Sequence, residues 1–169
     1  MRILLVSLFS LTLTACGWQL RGSSDLDAIG ELQVTGGSFE LRRDLIQTLE
    51  RNGITVEAHA PFTLALSSEQ WRRRVVAVDS QGREIERELR FSLQWRLRDN
   101  DDQSTAEQST VRITRSFNFD PSNPATAADE EALTRNNIYR DAISQLIRQL
   151  EALSRNIIST GQDLNTETD

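Results

Sequence analysis

The sequence predicts an α+β domain: one largely antiparallel sheet of four to five strands with two helices on one face. Three observations carry this. Ile85, Leu89, Phe91, Leu93, Trp95 and Leu97 fall on odd positions while Arg90, Ser92, Gln94, Arg96 and Arg98 fall on even ones. That period of two marks a strand with one buried and one polar face. Tyr139, Ile143, Leu146, Leu150, Leu153 and Ile157 recur at spacings of three and four, with Ala142 and Ile147 widening the stripe, which marks an amphipathic helix. All the remaining strands but the first cluster between this helix and a shorter one near the start, as expected for a single layer of sheet under helices.

The chain opens on a processing signal. Arg2 gives a one-charge n-region, and Ile3 to Leu13 is an apolar run of eleven residues, too short to span a bilayer. Leu13-Thr14-Ala15-Cys16 then looks like a bacterial lipoprotein cleavage site, with the only cysteine of 169 residues as the acylated position. Residues 1–15 are expected to be removed and Cys16 to carry lipid. Two or more acyl chains on one residue anchor stably, where one does not. In lipoproteins of this type Asp after the cysteine favours the inner membrane, so Gly17 points to the outer one. A lipidated lone cysteine also leaves no intramolecular disulfide, so stability must come from burial.

Residues 16–30 read as a lipidated tether, 31–159 as one α+β domain, and 160–169 as a polar, disordered tail. Glu31 to Thr35 alternates and ends at Gly36-Gly37, giving the first strand. Ser38 is an N-cap for a helix reaching Asn52, with Gly53 just past its end and Leu41, Leu45, Ile46 and Leu49 on its apolar face. Ile54 and Val56 begin a strand region that Pro61 separates from the alternation of Phe62, Leu64 and Leu66. Trp71 to Val78, rich in Arg and Val, meets the turn Asp79-Ser80-Gln81-Gly82. The long alternating strand follows, then a turn at Asp99 to Asp102. Val111, Ile113, Phe117 and Phe119 make the last strand, with Arg112 and Thr114 on its other face. Asp120 to Pro124 breaks the sheet. Thr126 with Asp129 resembles a capping box for a helix running to about Ser159. The order is β-α-β-β-β-β-α, give or take one strand. The long helix suits packing on its own sheet better than a coiled coil, since its repeat barely reaches coiled-coil length.

Formal net charge is −6, and every basic residue is Arg. Losing Arg2 with the signal takes the mature chain to −7. Charge is uneven: residues 71–115 hold ten Arg against eight acids, whereas the rest of the mature chain holds eight against seventeen. An acidic protein with a mildly basic middle is a poor nucleic-acid binder. It can still meet a phosphate locally, because Arg binds such groups bidentately. No catalytic constellation is expected. His59 is the only histidine, no cluster has metal-ligand spacing, Cys16 is consumed by lipid, and no phosphate loop or nucleophile elbow is present. No cofactor or metal is implied. What remains is a two-faced sheet, whose even positions offer Arg90, Arg96, Arg98 and Arg112 to solvent or to a partner.

Cys16-Gly17-Trp18-Gln19-Leu20-Arg21-Gly22 resembles the Cys-Gly-aromatic-x-Leu-Arg start of the LPS-assembly lipoprotein family (LptE-like). Arg115-Ser116-Phe117 before a Pro-containing loop fits too, as does Tyr139-Arg140-Asp141-Ala142 followed by Gln145-Leu146-Ile147-Arg148-Gln149-Leu150. The resemblance runs from Cys16 to about Leu153. It implies a non-enzymatic outer-membrane lipoprotein in a one-to-one complex with the large LPS-translocon β-barrel. Such a protein plugs the lumen, assists barrel assembly and binds lipopolysaccharide. Barrel lumens are polar, which suits a half-polar sheet. In the family, basic residues near the hairpin turn and before the last helix contact LPS. Here the turn itself is not basic and Pro121 to Glu131 has no basic residue. Arg83, Arg74 and Arg72 are the expected LPS contacts, and Arg90, Arg96, Arg98 and Arg112 the expected partner face. An auxiliary lipoprotein of an ABC-type lipid transporter is the alternative of a different class.

Overall fold

Helix and sheet signals resolve into β1 (Glu31–Gly36), α1 (Phe39–Arg51), β2 (Thr55–Val56), β3 (Phe62–Val78), β4 (Glu84–Asp99), β5 (Thr105–Asn118) and α2 (Pro124–Thr166). The computed structural model describes Leu26 and residues 29–101 and 105–166. The expected signal at 1–15, the lipidation site Cys16 and the first part of the tether lie outside these residues.

The sheet is mixed, in the order β2-β1-β3-β4-β5. β1 runs parallel to both β2 and β3, while β3, β4 and β5 form an antiparallel meander. The element order is the expected one, but its strands divide differently. Thr55–Val56 stands alone, and Phe62–Leu66 is continuous with Trp71–Val78 in one strand of 17 residues. A β-bulge explains why the alternation seems to stop between them. Ser67 pairs with Gln94, yet Gln70 pairs with Ser92, so β3 carries one extra residue there. Ser68 sits inside the bulge at φ +51°.

α1 begins where its cap predicts. Ser38 is extended (φ −66°, ψ 158°) and its hydroxyl accepts from the Leu41 N–H. Gly53 follows the end at φ +84°. Leu41, Leu45 and Leu49 are fully buried. Each contributes about 1.5–3 kcal/mol on burial, and this holds a 13-residue helix that alone would be marginal. Gly36, at the exit of β1, takes φ +73°, and a Cβ there would lie 2.1 Å from the Leu66 carbonyl oxygen. Only glycine allows so close a crossing.

α2 begins earlier than the Thr126–Asp129 capping box implies. Asn123 is the cap, its side-chain oxygen accepting from the Thr126 N–H, and Pro124 opens the helix. Proline is favoured at that first position because its missing N–H would be unpaired anyway. The helix continues through Gly161 to Thr166, past the expected end near Ser159 and into the stretch read as a disordered tail. One glycine costs a helix only about 1 kcal/mol.

One hydrophobic core lies between the two helices and one face of the sheet. Leu89, Phe91, Leu93, Trp95 and Leu97 are buried to within 1% exposure, so the odd face of β4 is the covered one. Ile138, Ala142, Ile143, Leu146, Ile147 and Leu150 of α2 meet it, so this helix packs on its own sheet. The Trp95 indole N–H donates to Gln149 of α2 (2.8 Å). Leu26 and Ile29, at the end of the expected tether, are also buried in this core.

Candidate functional site

Strand register divides the arginines between two faces. Arg90, Arg96, Arg98 and Arg112 are all exposed, on the face away from the helices, as their even positions predict. Arg72 lies opposite Arg90, and Arg74 opposite Glu88, on the same open face. The bulge puts Arg73 on the covered face, where it reaches Glu131 of α2 (3.4 Å). Six of the seven arginines singled out from the sequence therefore share one surface. Arg83 stands apart, beyond the end of β3.

The hairpin arginines differ in what holds them. Arg74 makes a bidentate pair with Glu88, Nε to Oε1 at 2.7 Å and Nη2 to Oε2 at 3.0 Å. The donated bonds hold the Glu88 carboxyl below its usual range and raise the Arg74 guanidinium. Arg83 is exposed and held by one acid. Its backbone N–H and its Nε both donate to Asp79, at 2.9 and 2.7 Å. The backbone bond is the larger cause of the lowered Asp79 carboxyl. Across a hollow of about 260 Å³, Asp120 of the β5–α2 loop faces the same turn. Its carboxyl is held low by the Ser122 hydroxyl and N–H, and by the Arg83 charge. At its tip the hairpin thus satisfies its own cation. Val75, Val76, Val78 and Ile85 are the exposed aliphatics beside it.

The middle of the open face is arranged otherwise. Thr63, Ala65 and Ser67 of β3 are short, and Gln94, Arg96, Arg98 and Gln108 rise beside them around a concavity of about 300 Å³. Arg96 donates through Nε and Nη2 to one neutral acceptor, the Gln108 Oε1, at 3.2 and 2.8 Å. Among the described residues Arg72, Arg98 and Arg112 have no hydrogen-bonding or ion-pairing partner. Like charges placed directly opposite, as at Arg72 and Arg90, destabilise a strand pair. Glu88 relieves part of this by accepting from Arg90 at 3.3 Å.

One polar cluster was missed in the sequence. Glu69, re-aimed by the bulge, accepts from the Ser38 backbone N–H (2.7 Å), the Ser38 hydroxyl (3.1 Å) and the Tyr139 hydroxyl (2.9 Å). It ties β3, the start of α1 and α2 together, and places a carboxylate at a helix N-terminus. Trp71, Phe91 and Tyr139 pack around it at centroid distances of 4.8–5.6 Å, with Arg135 over the Trp71 ring. Burial raises the Tyr139 phenol above its usual range. An acid inside a polar run such as Ser67 to Gln70 gives no sequence signal of this role.

His59 is exposed in the turn before β3, and the described residues contain no group of three metal-ligating side chains. No described helix is long and apolar enough to cross a membrane.

Comparison with known proteins fits this architecture. A family model described as LptE, lipopolysaccharide-assembly, matches residues 29–150. No curated protein matches the chain. Among solved structures, a lipoprotein B from Nitrosomonas europaea superposes with TM-score 0.66 at 23% identity, over 82% of this chain and 93% of its own. A minor lipoprotein from Acinetobacter baumannii gives 0.61 at 20% identity, over 73% and 92%. The rare lipoprotein B from Shewanella oneidensis gives 0.55 at 17%, over 80% and 98%. At such identities the likeness is one of fold.

Proposed function

The chain belongs to the LptE lipopolysaccharide-assembly family, and from that premise we propose that it is an outer-membrane lipoprotein which plugs the lumen of the LPS-translocon β-barrel. In this reading Cys16 carries the lipid, the partner is one barrel protein, and the domain assists barrel assembly and binds lipopolysaccharide during its delivery to the outer leaflet. It has no catalytic step.

The observation that supports this best is the open sheet face. Both helices lie on the other side, and apart from Ala65 and the aliphatics of the far arm the exposed face is polar, with Arg90, Arg96, Arg98 and Arg112 along it. A surface of that kind suits a polar, water-lined barrel interior. Of the hairpin arginines, Arg72 is available to a phosphate without breaking an internal pair, whereas Arg74 and Arg83 must give up an acid first.

Site-specific photocrosslinking tests the reading. Probes at Arg90 and Arg112 should capture one large outer-membrane protein, while a probe at Gln47 on exposed α1 captures less of it. Failure of every position to capture a large barrel, with the lipoprotein normally processed, overturns the plug. Cys16→Ser should leave an uncleaved precursor, and normal cleavage would remove the anchor from the reading.

A further inference from the structure

The far arm of the hairpin spends Arg74, Arg83 and Arg87 on its own acids, and apart from Arg72 the arginines of the open face without a carboxylate lie away from the tip. We infer that the concavity flanked by Arg96 and Arg98 on the open sheet face is an anion site for a phosphorylated saccharide, separate from the hairpin tip. The inference rests on the family reading for the identity of the saccharide, that of lipopolysaccharide, and on geometry for the site.

Four observations converge on it. Arg96 and Arg98 are alternate residues of β4, so both rise from the same face about 7 Å apart along the strand. They border a hollow of about 300 Å³ whose β3 side is Thr63, Ala65 and Ser67. Hydroxyls and a methyl there leave room for a ligand and offer hydrogen bonds to sugar oxygens. The charge is unspent: Arg96 is parked on the neutral Gln108 amide, and Arg98 has no partner among the described residues. Eight other arginines, Arg43, Arg73, Arg74, Arg83, Arg87, Arg90, Arg115 and Arg135, each pair with a carboxylate, and of those that do not, Arg96 and Arg98 are the two that border this hollow. An amide acceptor is exchanged for a phosphate oxygen at a gain, since charge-assisted bonds are roughly twice as strong as neutral ones. A phosphate entering here displaces the Gln108 contact from Arg96 and recruits the idle donors of Arg98.

The test uses the full-length lipoprotein in a mild non-ionic detergent. The probe is lipopolysaccharide stripped of all acyl chains, so that only phosphorylated saccharide is read. The same saccharide after phosphatase treatment and inorganic phosphate are the comparison probes. Arg96→Gln and Arg98→Gln should each weaken binding by about tenfold, the equivalent of one charge-assisted hydrogen bond. Ala65→Glu, which places an acid directly opposite Arg96, should weaken it to a similar degree by satisfying the site internally. Arg51→Gln on α1 should bind as the native protein does. Dephosphorylation of the saccharide should cost the native protein what the arginine changes cost, and inorganic phosphate should compete, more weakly than the saccharide. All variants should melt within about 2 °C of the native protein, as surface changes do.

Native-level binding by both arginine variants overturns the inference. So does a loss seen only in Arg83→Gln or Arg74→Gln, which returns the site to the hairpin. A loss of barrel co-purification with saccharide binding unchanged also overturns it, because the arginines are then partner contacts. If the native protein ignores the saccharide but still binds intact lipopolysaccharide and co-purifies with a barrel, the inference falls and the family reading stands. If it does neither, both fall.

Discussion

The two halves of the β3–β4 hairpin are held by different forces. In the root, Phe62–Ser67 pairs with Gln94–Asp99 and with β1, and both helices cover it. In the arm, beyond the bulge, β1 has ended and β3 has β4 as its one neighbour. The root buries Leu64, Leu66, Trp95 and Leu97, whereas the far arm exposes Val75, Val76, Val78 and Ile85 and is laced by Arg74–Glu88, Arg83–Asp79 and Arg87–Glu84. Apolar burial thus holds the root and runs into the arm only as far as Trp71, Leu89 and Phe91, and beyond them the arm relies on surface ion pairs, which are individually weak. The difference also explains the Arg72–Arg74 run. It lies on an unpaired strand edge, and charge there discourages another chain from adding on.

The contrast can be broken most sharply in the root. Trp95→Ala should cost about 3–5 kcal/mol by denaturant titration, because the indole is fully buried and its cavity cannot collapse. An equal loss from a substitution in the far arm, at Val75, Val76, Val78 or Ile85, would refute the division. At the junction, Glu69→Ala should cost about 1–2 kcal/mol through the lost helix-terminal bonds to Ser38 and Tyr139. If β1–β3 amides keep full exchange protection while α1 amides do not, the clamp acts on the helix alone.

Acid should loosen the arm first. The carboxyls of Asp79, Glu88 and Asp120 are held below their ordinary values of 3.8, 4.5 and 3.8 in the fold. Groups depressed in this way stabilise the fold above those ordinary values and lose the contribution as pH falls through the depressed ones. Hydrogen exchange below about pH 4 should therefore rise at residues 79–88 before it rises at 62–67. The reverse order would show that the arm does not depend on its ion pairs. The smallest effect belongs to Val76→Asp, within about 0.5 kcal/mol, because the side chain is already exposed. A larger loss would reveal an apolar function for the arm.

Much of this was legible before any coordinates. Ser38 and Gly53 bounded α1 because caps are local chemistry, and the odd–even pattern of β4 assigned its two faces. Asn123 was overlooked as a cap because Thr126 with Asp129 imitates one three residues later. The insertion of β1 between β2 and β3 left no trace, since parallel pairing is decided by packing and not by neighbouring residues. The arginines show the limit most clearly. Arg74 and Arg98 look alike in sequence, and only register reveals that one lies opposite Glu88 and the other opposite Thr63.

The extra residue at Ser68 acts as a phase shift in the chain's two-beat rhythm. Before it, even-numbered side chains of β3 lie on the covered face; after it, and as far as Val75, odd-numbered ones do, with Trp71 reaching the core. Deleting one residue there would leave the root untouched and turn the arm over, sending Trp71 outward and Arg72 and Arg74 against the aromatic cluster. An insertion at the exposed Asp79–Gly82 turn can instead be taken up within the loop, leaving the phase of both strands as it was. The count of residues between Leu66 and Trp71 is therefore as constrained as the identity of any buried side chain.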